Sequence, residues 1–222
     1  MIPLTIVFDL DGTMVDTAPD LVDSLNVILT RRGLAAIPYP TARTMIGGGA
    51  RRMLEAALTF EKHPFTAAEV DPLFEDFITH YAAHVADRSR PFPGLVDALD
   101  RLGADGCRFA VCTNKLEGLS RLLLDALGLS ARFAAVCGQD TFGVQKPNPE
   151  ILLRTIAQAG GSGERAIMVG DSVNDIDTAR AAGVPVIAVD FGYTEIPVTQ
   201  LGPDRVISHF TELPAAVAAL AR

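Results

Sequence analysis

The sequence predicts an α/β protein, with a doubly wound, Rossmann-like parallel sheet as its core and an inserted small helical cap domain. Two observations predict this. Short β-branched apolar runs, at Leu4 to Phe8, Phe109 to Cys112, Ile167 to Val169 and Val184 to Val189, alternate with segments whose apolar residues fall three to four apart. The runs are too short for helices and largely apolar, as strands buried on both faces of a parallel sheet are, and their alternation with helices favours double winding. The second observation is a change of pattern: between Thr17 and Asp87 no strand-like run occurs and only helical periodicity remains.

In the core, Leu116, Leu119, Leu123 and Leu127 mark one helix, and Ile151, Leu152, Thr155, Ile156 and Ala159 another. In the strand-free block, Leu21, Val22, Leu25, Ile28 and Leu29 mark a helix, as do Val70, Leu73, Phe74, Phe77, Ile78 and Tyr81. Such a block placed directly after the first strand is expected to be a cap, residues 17–87, inserted into a core of residues 1–16 and 88–222. Its hinges fall at Asp16 to Pro19 and at the proline-rich stretch Asp87 to Gly94.

Composition narrows the functional classes. With 222 residues, 49% hydrophobic and 21% charged, the chain can bury a large core. A formal net charge of -8 argues against nucleic acid or an anionic membrane as partner, while a small anionic substrate stays compatible with locally concentrated positive charge. Three cysteines, Cys107, Cys112 and Cys137, lack paired metal-ligand spacing and suggest neither a disulfide framework nor a zinc site. The first eight residues carry no basic residue and no apolar stretch approaches the length of a membrane span, so a cytoplasmic monomer or homodimer is expected.

Chemistry gathers where strands end. The first strand runs into Asp9-Leu10-Asp11-Gly12-Thr13, where alternation sends both carboxylates to one side, roughly 6 to 7 Å apart along the chain. That spacing leaves room for a phosphoryl group and a cation. The second strand ends at Thr113-Asn114, whose hydroxyl and backbone N–H groups suit a phosphate oxygen; Asn114 with Glu117 also fits a helix cap. Lys146 precedes a helix start framed by Asn148 as N-cap and Pro149 as first residue. Asp171 and Asp175 follow the third run, where they or Ser172 fit the cap of the next helix. In an open α/β sheet, loops at the carboxyl ends of strands converge on one crevice. Four carboxylates gathered there would repel one another unless a cation and a lysine neutralise them, and magnesium suits an all-oxygen site.

These segments, in this order, resemble the four motifs of the haloacid-dehalogenase superfamily, and the resemblance spans essentially the whole chain. It is greatest to the phosphoglycolate phosphatase branch, whose cap carries a glycine-rich turn such as Ile46-Gly47-Gly48-Gly49. The resemblance implies a magnesium-dependent phosphatase acting on a small phosphorylated metabolite, with 2-phosphoglycolate the leading substrate. Asp9 would be the nucleophile and Asp11 the general acid and base. Magnesium would be held by Asp9, the Asp11 carbonyl and Asp171 with Asp175 in support, and phosphate by Thr113, Asn114 and Lys146. Because the family's dehalogenases lack the second aspartate and its ion pumps have threonine there, Asp11 favours phosphatase or phosphomutase chemistry.

Gly47, Gly48 and Arg51 are the cap residues expected to select substrate, with Arg43, Arg52 and Lys62 as further candidates for a substrate carboxylate. Pyrophosphate, sugar phosphates and nucleotides are the alternative substrates, phosphomutase the alternative reaction, and a noncatalytic phosphate-binding module the remaining class. His80 and His84 stand four apart but lack the glutamate of a zinc-protease motif.

Overall fold

The computed structural model describes residues 3–194 and 196–221. In chain order its elements are β1 (Thr5–Phe8), β2 (Val15–Asp16), α1 (Ala18–Arg31), α2 (Tyr39–Arg43), α3 (Ala50–Phe60), α4 (Ala67–Ala83) and β3 (Arg90–Pro91). There follow α5 (Leu95–Ala104), β4 (Arg108–Cys112), α6 (Glu117–Ala126), β5 (Ala135–Cys137), α7 (Pro149–Gln158) and β6 (Ala166–Gly170). The chain closes with α8 (Val173–Ala182), β7 (Val186–Val189), β8 (Arg205–Ile207) and α9 (Leu213–Leu220).

Six strands form one sheet in the order β5-β4-β1-β6-β7-β8, every neighbouring pair parallel. Counted among these six strands alone, the order is 3-2-1-4-5-6, the doubly wound arrangement whose direction of winding reverses between its first and fourth strands. Those strands are β1 and β6, paired from Thr5 with Ala166 to Phe8 with Val169. A ligand crevice is therefore expected beyond Phe8 and Gly170.

Alternate residues of β1 serve opposite layers. Ile6 and Phe8 join the larger apolar cluster, and Val7 joins the second cluster with Ile151, Leu152 and Ile156 of α7. All four β1 residues are buried, which explains why the run reads as continuously apolar. The larger cluster continues without a break into α1, α3 and α4 through Leu25, Leu54 and Phe77, so the strand-free block and one face of the sheet share a single apolar body.

Between β2 and β3 the described residues contain helices and no strand. At the two crossings into that block, β2 and β3 pair antiparallel, Asp16 opposite Arg90. The buried Asp20 carboxylate stitches the crossings together by accepting from Arg88 N (3.0 Å), Ser89 N (2.7 Å) and Ser89 Oγ (2.6 Å). Periodicity does not disclose β5 and β8, because each has three residues at a sheet edge, too few for a periodic signal. Among the described residues no helix is long and apolar enough to cross a membrane.

Candidate active site

Asp9 follows the last residue of β1 and donates its backbone N–H to Val169 O of β6 (2.9 Å), so it is fixed at the point where the winding reverses. Asp171 follows the last residue of β6, and Asp175 lies in the first turn of α8. All three carboxylates are buried, and each offers an oxygen within 4.8 Å of the others'. Close approach here depends on Gly12, which has φ +81; a Cβ there would stand 2.6 Å from Asp171 Oδ2.

The three acids have different partners. Asp175 completes a capping box with Ser172, its Oδ2 accepting from Ser172 Oγ (2.7 Å) and Ser172 N (3.1 Å), while its Oδ1 accepts from Lys146 Nζ (2.5 Å). Asp171 accepts from Tyr193 N (2.7 Å) and Thr13 Oγ1 (3.2 Å). Asp9 Oδ1 pairs with the same ammonium, 2.8 Å from Lys146 Nζ. Lys146, expected at a braced helix start, is fully buried between Asp9 and Asp175. Asn148 caps α7 by accepting from Glu150 N (2.9 Å), with Pro149 as its first residue.

Burial works against the Lys146 charge, but Asp175 and Asp9 beside it outweigh that, and its pKa rises. One ammonium does not neutralise three carboxylates. Burial, reinforced by Asp175, pushes Asp9 up to about 6 despite Lys146. Burial together with Asp175 and Asp9 pushes Asp171 up to about 8. The deficit of positive charge and the all-oxygen donor set together fit a small divalent cation held by Asp9 and Asp171. Asp175, saturated by Lys146 and the helix start, braces that pair from behind.

Beside this cluster lies a cavity of about 40 Å³, lined by Asp9 and Asp11 on the floor, Thr113, Asn114 and Lys115 from the β4 loop, and Gly47, Gly49 and Tyr81 from the helical block. The Thr113 hydroxyl accepts from Lys115 N (3.2 Å), and among the described residues nothing takes its own proton. Asn114 departs from the helix-cap reading. Leu116 occupies the N-cap position of α6, and the Asn114 side chain closes on Lys146 instead, accepting from Lys146 N (2.9 Å) and donating to Lys146 O (3.3 Å). It also donates to Gly47 O (3.2 Å), tying the glycine turn to the core. A long-range pair of backbone partners has captured the carboxamide, which local sequence cannot register.

The other cap residues singled out in the sequence lie elsewhere. Gly48 and Arg51 do not line this cavity. Arg51 pairs with Asp71 and its guanidinium lies 5.3 Å from the Phe74 ring centroid, with 40% of the side chain exposed. Arg43 straps the helical block to the core by donating to Phe191 O (3.1 Å) and Gly192 O (2.9 Å). Conversely, Lys115, Tyr81 and Gly49 line the cavity although sequence reasoning gives them no role there. Tyr81 reads as one more residue of the apolar stripe of α4, and Lys115 as the opening of a helix. The His80 and His84 rings lie 4.6 Å apart and bond to Ser24 and Asp87 respectively, which gives them ordinary partners.

Comparison with known proteins identifies the family and the fold. The family model described as haloacid dehalogenase-like hydrolase matches residues 6–189. A phosphoglycolate phosphatase of Mesorhizobium japonicum is 49% identical over 213 residues, covering 96% of this chain and 94% of its own. One of Agrobacterium fabrum is 49% identical over 215 residues, covering 97% and 92%. The crystal structure of a predicted phosphoglycolate phosphatase from Haemophilus somnus 129PT superposes with a TM-score of 0.89 at 30% identity, covering 96% of this chain and 97% of that one.

Proposed function

The chain belongs to the haloacid dehalogenase-like hydrolase family, and from that premise we propose that it is a magnesium-dependent phosphatase of 2-phosphoglycolate working through an aspartyl-phosphate on Asp9. The observation that carries this reading is the double position of Asp9. Of the three clustered carboxylates it alone also lines the cavity, so one oxygen can face a cation while the other faces phosphorus. The substrate rests on the relatives named for it.

In this reading an Asp9 oxygen attacks phosphorus as the bond to the glycolate oxygen breaks, and Asp11 gives that oxygen a proton. Asp11 then takes a proton from the water that attacks phosphorus, the Asp9–phosphate bond breaks, and inorganic phosphate leaves. Thr113, the Asn114 backbone and Lys146 hold the phosphoryl oxygens as charge spreads over them. Magnesium, held by Asp9, the Asp11 carbonyl and Asp171, would supply the positive charge that Lys146 alone does not. The cap, residues 17–87, would shield the reaction from bulk water over a core of residues 1–16 and 88–222.

Magnesium-dependent phosphate release from 2-phosphoglycolate, pyrophosphate, a sugar phosphate and a nucleotide tests the reading, with Asp9→Asn as control. The control is expected to keep its fold, form no phosphoenzyme and lose at least about 10³-fold in kcat. Wild-type turnover by that variant would remove Asp9 as nucleophile. Preference for another ester would keep the chemistry and discard the substrate, and an isomer in place of free phosphate would indicate a mutase.

A further inference from the structure

The side chain of Lys115 is only 4% exposed and lies between Asp11 and the helical block. Its Nζ donates to Asp11 Oδ1 (3.0 Å), to Asp11 Oδ2 (3.2 Å) and to Tyr81 OH (2.9 Å), and stands 4.4 Å from the centroid of the Tyr81 ring. An ammonium has three protons. All three have partners here, two of them the oxygens of one carboxylate, and both Lys115 and Tyr81 line the cavity. Tyr81 is only half used. Its oxygen accepts from Lys115, and among the described residues nothing accepts its own proton. Burial, with Asp11 and Asp20 nearby, pushes the phenol well above its ordinary range, so it keeps that proton.

Apart from Asp9, Asp11, Gln139, Tyr81 and the β4 loop, the side chains of the cavity wall are apolar, including Ile46, Met53, Phe77 and Leu119. A buried phenol with an unspent proton, beside a buried ammonium, suits an acceptor that carries negative charge. Lys115 is the cavity's one cationic lining residue among those described, so the acceptor it suits is an anion. The lysine is also held firmly in place: Gly138 packs so closely that a Cβ there would overlap Lys115 O.

We propose that Lys115 and Tyr81 together read a carboxylate on the substrate, distinguishing a carboxylate-bearing phosphate ester from a neutral-tailed one. This rests on the phosphatase reading of the same cavity and assigns the specificity role to the β4 loop and α4 instead of to Arg51.

The test compares 2-phosphoglycolate with ethyl phosphate, which keeps two carbons but has no carboxylate, in wild type, Lys115→Met and Tyr81→Phe. Wild type is expected to favour 2-phosphoglycolate. Lys115→Met should reduce that preference, as a ratio of kcat/KM, about 10- to 100-fold, and Tyr81→Phe about 3- to 10-fold, mainly through KM. Calorimetric titration of 2-phosphoglycolate into Asp9→Asn, with and without Lys115→Met, should show the same loss in Kd. Tyr81→Phe keeps the ring in place and decides the matter should Lys115→Met fail to fold. A preference unchanged in the variants, with both esters slowed alike, overturns the proposal while leaving the phosphatase intact. A wild type indifferent between the two esters overturns both the proposal and the choice of substrate.

Discussion

The floor and the roof of the cavity are built on opposite terms. The floor, at the ends of β1 and β6, crowds three buried acids around one lysine and leaves negative charge uncompensated. The roof, on α3 and α4, is apolar apart from Tyr81, and meets the core through Asn114 and Lys115. A charge deficit held in a rigid frame favours a cation and a phosphoryl group, whatever the rest of the substrate. A largely apolar wall bearing a buried ammonium and a phenol with an unspent proton sorts substrates by the group esterified to the phosphate. Chemistry and selectivity are thus carried by different segments, and each can be disturbed without the other.

The sharpest break of the floor is Lys146→Met. It leaves Asp9 and Asp175 buried without a counter-charge, at an expected cost of about 3–5 kcal/mol. Metal-free thermal denaturation should show a midpoint lower by about 6–20 °C; an unchanged midpoint would mean the acids are neutral in the folded protein. Asp171→Asn removes one of the three proposed ligands, and the magnesium concentration for half-maximal activity should rise at least about 10-fold. An unaltered titration would take Asp171 out of the ligand set.

A pH series sharpens the same point. Asp9 and Asp171 are raised from 3.8 to about 6 and about 8, so between about pH 4 and pH 8 the folded state binds more protons than the unfolded one. Their contribution to metal-free stability therefore falls as pH rises through that window. Magnesium relieves this, so its addition should raise the melting midpoint more at about pH 8.5 than at about pH 5. Equal gains at both pH values would contradict the charge deficit. At the small end, Arg51→Ala on the outer side of the roof should change ester preference less than about twofold and stability by less than about 1 kcal/mol. A large loss of preference would return specificity to that arginine.

The same division governs what the sequence disclosed. Asp9, Asp11, Thr113 and Asp171 stand directly after apolar runs, so the location of the floor could be read from strand ends alone. Parallel winding then brings those ends together, a rule of topology that needs no coordinates. The roof has no such rule. Which residues of α3 and α4 face the cavity depends on how two amphipathic helices are rotated against the core. Tyr81 differs from its neighbours on the apolar stripe only by an oxygen. Arg51, one turn from the cavity, was drawn outward by Asp71 and Phe74, a choice made by contacts 20 or more residues away. The partnership of Asn114 with Lys146 was hidden for the same reason, since the two are 32 residues apart and a nearer partner, Glu117, offered a plausible cap.

The pairing of β1 with β6 has a consequence for how the protein comes into being. Asp9 and Asp171 are neighbours in space but 162 positions apart in the chain. At about 5–20 residues per second on the ribosome, the first carboxylate waits roughly 8–30 s for the second to be made. The helices of residues 18–83 emerge during that interval with the sheet they rest on still missing β6. No nascent fragment ending before Asp171 can assemble the acid cluster, so the capacity to grip a metal arrives late in synthesis and all at once.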